Sequence, residues 1–408
     1  MNMHMKKRIA IIGAGASGLL CALEAARGGH DVVVIEKNRK VGRKILATGN
    51  GRCNITNRTV TPAHYHGHHP AFVTHALRQF GSDDAIAYFR DLGLELITHE
   101  DGRIFPMSLQ ASSVSGFLDY TARARGVTFW LEREVHAVEK EGERFVVVDQ
   151  RGRTRFDAVV IATGSAAMPS LGSSEAGISL AKRLGHNTFP TFPVLVQLVS
   201  QSQRIQKAAG VKIDASVRPR TAEGAGEALR GDLLFTNYGL SGLVILDISR
   251  VISAALARGE ACAVEIDMLP DISLSALKNI LRKRAKKFAD LPPELMLNGM
   301  LHKKLVHLLL EHAGALHAKP LDTKALQRIA YGIKHFSVAI SDTRGAKGAE
   351  VMAGGVDCRE VDPRTMQSRL HKGLYFTGEV LDIDGDRGGY NLHWAWASGY
   401  LAGRDLAS

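Results

Sequence analysis

The run KRIAIIGAGASGLLCALEAARGGHDVVVIEK, Lys7 to Lys37, constrains the fold more than any other part of the chain. A short β-branched run ends at Gly13, the pattern Gly13-x-Gly15-x-x-Gly18 follows, an alanine-rich helical segment runs to about Arg27, and a second apolar run, DVVVIE, ends on Glu36. Each piece has a physical task. Gly13 permits the tight turn, Gly15 lets a pyrophosphate approach the backbone, and Gly18 allows the helix to pack closely on the strand. The helix start, with Ala16 and Ser17, offers unpaired N–H groups and a partial positive charge to the phosphates. Glu36, 23 residues after Gly13, is placed for its carboxylate to accept both hydroxyls of a ribose. These residues predict an α/β, Rossmann-type dinucleotide-binding domain; a mere glycine-rich turn leaves Glu36 unexplained.

Three later segments select FAD over NAD. VGRKILATGNGRCNITN, residues 41 to 57, has neither strand alternation nor a helical apolar stripe, and it leaves the second strand beside the expected ribose and pyrophosphate. Arg43 and Lys44 can meet phosphate oxygens there, and the glycines of TGNGRCN admit a flat ring close to the backbone. FDAVVIATGS, Phe156 to Ser165, is an apolar strand whose Ala162-Thr163-Gly164 turn passes the adenine side of a dinucleotide. In GLYFTGEVLDIDGDRGGYNLHWAWASGYLAGRDL a strand reaches Gly378-Glu379, an acidic glycine-rich loop follows, and Gly388-Gly389 opens the last helix. Such a helix N-terminus lies under the flavin pyrimidine, where its dipole favours the anionic reduced ring. The two ends of the chain therefore form one discontinuous FAD-binding domain, residues 1–190 and 341–408.

The intervening segment divides by pattern. Residues 191–270 hold short β-branched runs (VLVQLV, VKIDASV, DLLFTN, CAVEIDML), which predict an inserted β-rich domain. Residues 271–340 turn to helical spacing, as in LSALKNILRKRAKKFA, and predict a small basic helical domain. From Asp271 to His335 there are twelve Lys and Arg against five Asp and Glu, which places most of the net charge of +11 in one segment. A polyanionic partner is one reading of Arg282, Lys283, Arg284, Lys286 and Lys287, and a solvated helix face is the other. A second strand-GxGxxG-helix unit is absent, so NAD(P)H, if it is the electron donor, is expected to visit the flavin face only transiently.

Exclusions come from what the 408 residues lack. Too little precedes the first strand for a signal peptide, and no apolar run approaches the roughly 20 residues of a membrane span. The four cysteines form no CxxC pair, against zinc or a disulfide framework. A cytoplasmic protein without a metal is expected. His64, His66, His68 and His69 lack a neighbouring carboxylate or Cys in sequence and read as an exposed loop.

The chain resembles the YhiN/BaiN-type group of bacterial flavoproteins, which includes aminoacetone oxidase and a ribosomal RNA dihydrouridine synthase. The resemblance rests on GRKILATGNGRCNITN, GRIFPMS, LLFTNYGLSG, GGVDCREVDPRTMQS and GLYFTGEVLDIDGDRGGYNL, spread over nearly the whole chain. It implies non-covalent FAD held by Ala16, Ser17, Glu36, Lys37, Arg43, Lys44, Thr48, Gly49, Asn50, Gly51, Arg52, Cys53, Val135, Glu379 and the loop Asp386, Gly388, Gly389, Tyr390, Asn391, Leu392. The chain departs from the pattern at Leu243, where Pro is usual, and at His393, where Gln or Thr is more usual.

The resemblance implies reduction of an activated C=C bond, and reduction of a uridine C5=C6 bond in 23S ribosomal RNA to dihydrouridine is the leading expectation. Hydride addition at C6 places enolate charge on O4, so the site needs hydrogen-bond donors there and an acid at C5. Candidates are Arg103, Tyr238, Tyr390, Asn391 and His393 as donors and Cys53 as acid, although a small thiol in such a loop also reads as packing. A small-molecule amine oxidase or enone reductase is the enzyme alternative. A flavin-bearing RNA-binding or redox-sensing protein is the non-enzyme alternative.

Overall fold

The computed structural model describes residues 6–318 and 321–408. They fold as two compact units, one of residues 6–191 with 350–408 and one of the described residues between 192 and 349.

The first unit is built on a five-stranded parallel sheet. Its strands, in spatial order, are Leu374–Phe376, Ala158–Ile161, Arg8–Ile12, Asp31–Ile35 and Thr128–Trp130. Except for the edge strand Thr128–Trp130, these runs are buried almost throughout, which is why they read as continuous apolar stretches rather than alternating ones. Ile12 is in register with Ile35 on one side and with Ile161 on the other, and Ile161 with Phe376. The segments after Ile12, Ile35, Ile161 and Phe376 therefore leave one edge of the sheet. Strand order reverses about Arg8–Ile12, and the carboxyl edge at such a switch point is where open α/β sheets bind ligands.

The connection from Thr128–Trp130 to Ala158–Ile161 is a three-stranded antiparallel meander, Val135–Glu141, Arg144–Asp149 and Gly152–Phe156. The helices Ala16–Ala26 and Tyr390–Ala407 pack together under the sheet. Small residues make this close approach possible: a Cβ on Gly399 would overlap the Ser17 carbonyl, and one on Gly403 would lie 2.6 Å from that of Cys21.

The second unit is an eight-stranded antiparallel sheet with helices against it. Its edge strand Phe336–Ile340 pairs with Cys262–Asp267, and the helices Leu274–Lys287, Lys303–His312 and Thr323–Lys334 share one core with the sheet. Residues on both sides of the expected boundary at 270 share one core. The sequence reading also missed the helix Leu243–Ala257, whose Ile245, Ile248 and Ile252 face the sheet. Leu243 is its first residue, a position where Pro is well tolerated because no helical N–H bond is lost there.

Candidate FAD site and active site

At the first turn of the parallel sheet, Gly13 has φ +109°, and a Cβ there would sit 2.5 Å from the Ala162 carbonyl oxygen. A Cβ on Gly18 would overlap the Gly13 carbonyl. Above Gly15 nothing lies within 4 Å of a Cβ position, and the same holds at Gly164. The turn is therefore packed on the protein side and open where a pyrophosphate would approach.

Glu36 sits at the end of the second strand as the motif requires, and its carboxylate already has protein donors. Oε2 accepts from the Ala14 N–H at 2.9 Å, and Oε1 accepts from the Asn38 N–H and side-chain amide, both at 2.7 Å. Glu36 thus ties the glycine turn to the end of the second strand. Lys37 donates to Ser174 at 3.1 Å, and Val135 is buried at the start of the meander.

The stretch after Gly42 is not the irregular loop expected. Arg43–Gly51 is helical, broken at Thr48, Gly49 and Asn50, where φ/ψ leave the helical region and Gly49 and Asn50 turn left-handed. Arg43 donates to the Asn38 Oδ1 at 2.8 Å and to the Ser170 carbonyl at 3.3 Å, both neutral, so its charge stays available to an anion. Lys44 instead forms a 2.7 Å ion pair with Glu379. Arg52 donates to the Gly49 carbonyl and lies over Phe105.

The last helix starts at Tyr390, after Gly388 (φ +132°) and Gly389 (φ +106°). Asn57 donates to the Gly388 carbonyl at 3.0 Å, and a Cβ on Gly389 would lie 2.7 Å from the Thr56 carbonyl oxygen. Asn391 closes the turn through hydrogen bonds with Gly385 N–H and C=O and with the Asp386 carbonyl. Leu392 is half-buried behind it.

Two buried side-chain oxygens in these segments, Asn54 Oδ1 and Thr163 Oγ1, have no protein hydrogen-bond partner. An unmet buried polar group costs about 1–3 kcal/mol. Asn54 Oδ1 lies at the Gly389 turn and, with the open face of Gly15, fits a polar ligand along the carboxyl edge, whereas Thr163 Oγ1 is turned toward Gly177. Asn54, beside Gly389, is a site residue that sequence reasoning passed over; its place inside the GRCNITN run was the available signal.

The proposed catalytic set separates on inspection. His393 is 0% exposed. Its Nδ1 accepts from the Thr56 hydroxyl at 2.8 Å and its Nε2 donates to the Phe80 carbonyl at 3.0 Å. Burial outweighs these contacts and holds the imidazole down at about 4, so it stays neutral near pH 7. This is a packing residue, a correction to its expected donor role. Cys53 is also 0% exposed, with its thiol pushed up to about 12 by burial, and belongs to the core. The Tyr390 hydroxyl is shared with Thr59 at 2.8 Å, and its ring stacks on His64. Arg103 keeps a partly exposed guanidinium, braced at Nε by Asp101 at 2.6 Å and lying over Phe105. In the second unit, Tyr238 lies under the guanidinium of Arg344, 4.7 Å from the ring centroid. All four cysteines are free and buried, and among the described residues no cluster of His, Cys, Asp or Glu has the makings of a metal site.

The glycine turn, the Glu36 carboxylate and the glycine-opened helix start all follow strands at the carboxyl edge of one parallel sheet, the arrangement of a dinucleotide-binding fold. Residues 7–405 match the family described as HI0933-like protein Rossmann domain, and the chain belongs to that family. It is 39% identical to the 3-dehydro-bile acid delta(4,6)-reductase of Clostridium scindens, over 98% of this chain and 99% of that one. It is 36% identical to the ribosomal RNA dihydrouridine synthase of Escherichia coli, over 97% of each chain. Among solved structures, the open conformation of a flavocytochrome c3 fumarate reductase aligns with all of this chain and 79% of its own, at a TM-score of 0.51 and 15% identity, a likeness of fold. The protein is an FAD-dependent oxidoreductase. Among the described residues no helix is long and apolar enough to cross a membrane.

Proposed function

We propose that this protein reduces a C=C bond conjugated to a carbonyl, and that its substrate is a uridine of 23S ribosomal RNA. The two relatives' names describe one bond type: an alkene conjugated to a 3-oxo group in one, and the uracil C5=C6 bond in the other. The single observation that favours RNA is the outer face of the helix Leu274–Lys287. Arg282, Lys283, Lys286 and Lys287 are exposed there, and none forms an ion pair with a carboxylate among the described residues. A row of uncompensated cations is what phosphate neutralisation requires, and a small apolar substrate has no use for it. Arg284 does not belong to this row: it donates to the Met296 and Asn298 carbonyls at 2.6 and 3.1 Å and so closes the end of the neighbouring short helix.

Bound FAD supplies the hydride. Gly13, Gly15, Gly18 and the start of the first helix hold the pyrophosphate with Arg43, and Glu36 takes the ribose. Arg103 is assigned the donor role at the substrate carbonyl, where guanidinium hydrogen bonds meet developing negative charge. The proton for the α-carbon is drawn from water. Arg103 is favoured because, among the candidates of the first unit, it keeps a partly exposed guanidinium, whereas Tyr390 and Asn391 are engaged by internal hydrogen bonds and Cys53 and His393 are buried. NAD(P)H is the proposed reductant and the cytoplasm the proposed location.

The test is mass spectrometry of 23S ribosomal RNA from a deletion strain. One dihydrouridine should disappear, and purified protein with FAD and a reductant should restore it in the isolated RNA. Unchanged dihydrouridine would overturn the RNA assignment. A second reading, reduction of a small enone, follows from the bile-acid name of the 39% relative, and turnover of a 3-oxo-Δ4 steroid without activity on RNA would establish it.

A further inference from the structure

The carboxylate and the guanidinium assigned to the cofactor's ribose and pyrophosphate are held by one amide. Asn38, half-buried two residues beyond Glu36, stands between them. Its Nδ2 and its backbone N–H both donate to Glu36 Oε1 at 2.7 Å, and its Oδ1 accepts from Arg43 at 2.8 Å. Ala14 N–H meets the other Glu36 oxygen at 2.9 Å, and Arg43 reaches on to the Ser170 carbonyl at 3.3 Å. One hydrogen-bonded chain therefore runs from Ala14 through Glu36, Asn38 and Arg43 to Ser170. It joins the glycine turn to the end of the second strand and to the segment that follows the strand Ala158–Ile161.

The two partners fix which way the amide points. A carboxylate only accepts and a guanidinium only donates, so an amide between them has one satisfied orientation. Turned over, it would set oxygen against carboxylate and NH2 against guanidinium. Backbone encloses it as well: Gly172 has φ +94°, and a Cβ there would lie 2.5 Å from Asn38 Nδ2 and 2.7 Å from Oδ1. The Asn38 carbonyl is anchored in turn, accepting from Glu132 N–H at 3.2 Å. Aspartate at this position would lack the donor, and alanine would lack both groups.

We propose that Asn38 is a positioning residue for the cofactor: it aims the Glu36 carboxylate at the ribose and holds Arg43 by a neutral oxygen, so that the guanidinium charge remains for the pyrophosphate. The proposal rests on the assignment of Glu36 and Arg43 to FAD. Three N–H donors occupy most of the roughly four acceptor positions of the Glu36 carboxylate, so its direction is set before a ligand arrives. Both oxygens that hold Arg43 are uncharged. Preorganisation of this kind raises affinity, because the ligand does not have to order the groups that bind it.

The test is titration of apoprotein with FAD, followed by quenching of flavin fluorescence, with Glu36→Gln made in the wild type, in Asn38→Ala and in Asn38→Asp. Asn38→Ala alone should raise the dissociation constant about tenfold, since hydrogen bonds to charged groups are lost on both sides. Asn38→Asp should raise it further, because a second carboxylate then faces Glu36. Glu36→Gln should loosen FAD in the wild type and loosen it less in Asn38→Ala. In Asn38→Asp it should tighten FAD, because the amide and the carboxylate have changed places and their hydrogen bond returns.

A residue that merely supports the fold gives Glu36→Gln the same factor in every background, and that result overturns the proposal. So does an Asn38→Ala protein that binds FAD as tightly as the wild type. The Asn38→Ala comparison decides the matter by itself if the aspartate variant does not fold. A wild type that binds no FAD, or one in which Glu36→Gln changes nothing, overturns the ribose assignment beneath the proposal, which separates the two failures.

Discussion

Protonating His393 should weaken the whole first unit, and the size of the effect follows from where the ring sits. The imidazole is enclosed between Thr56 and Phe80, held neutral with its proton affinity down at about 4 against an ordinary 6.5. Between these two values the unfolded chain binds a proton that the folded chain does not, so stability rises with pH there. The contribution is complete above pH 6.5 and is lost as pH falls toward 4. The full difference is worth about 3 kcal/mol, and the portion lost between pH 7.5 and 5.0 is about 2 kcal/mol. Urea unfolding followed by tryptophan fluorescence measures it, since Trp394 and Trp396 lie on the same helix.

His186, whose imidazole is depressed by burial despite Glu360 beside it, also adds to the pH dependence of stability. The informative quantity is therefore the difference between the wild type and His393→Gln, a neutral side chain that keeps a donor and an acceptor. The variant should lose about 2 kcal/mol less than the wild type over the same interval. Equal losses in the two proteins would show that His393 is not a buried neutral residue, and would reopen a catalytic role for it.

Glu36→Ala should lower the flavin-to-protein ratio of the purified enzyme, because the substitution removes the proposed ribose acceptor together with the anchor at Ala14 N–H; an unchanged ratio would contradict that placement. Gly18→Ala forces a methyl into the Gly13 carbonyl and should cost about 1–3 kcal/mol in unfolding free energy, with loss of flavin; an unchanged melting temperature would refute the close packing. Replacing Arg282, Lys283, Lys286 and Lys287 with Gln should reduce the log–log salt slope of RNA binding by about 3 at 0.7–0.9 per phosphate contact, with no change in FAD content. Wild-type affinity and slope in that variant would reduce the cluster to a solvated surface.

The strand, turn, helix and acid of residues 7 to 37 were legible because each is local. Gly13 and Gly18 are glycine for reasons set by atoms within a few residues or on the adjoining strand, and Glu36 ends the strand that presents it. The FTGE strand and the RGGYN helix start were legible for the same reason, as short runs bounded by glycine. The helix Leu243–Ala257 was missed because its flanks are strand-like and its apolar content is high all round. The helical break at Thr48–Asn50 was missed because RKILA is too short to show a period.

Sequence by itself determined the α/β class, the dinucleotide cleft and the basic segment, since strand hydrophobicity, glycine spacing and charge are properties of neighbouring residues. Tertiary structure decided which polar side chains remain available. Cys53, Tyr390 and His393 stand in or beside glycine-rich runs of the sequence, yet two lie wholly in the core and the third is engaged by Thr59 and His64. Arg284 looks like its basic neighbours and instead serves the Met296 and Asn298 carbonyls. His64 and His66 look unpartnered and meet Asp386. A hydrogen bond depends on two groups arriving at about 3 Å, and when they are hundreds of residues apart only the closed sheet and its packed helices bring them there.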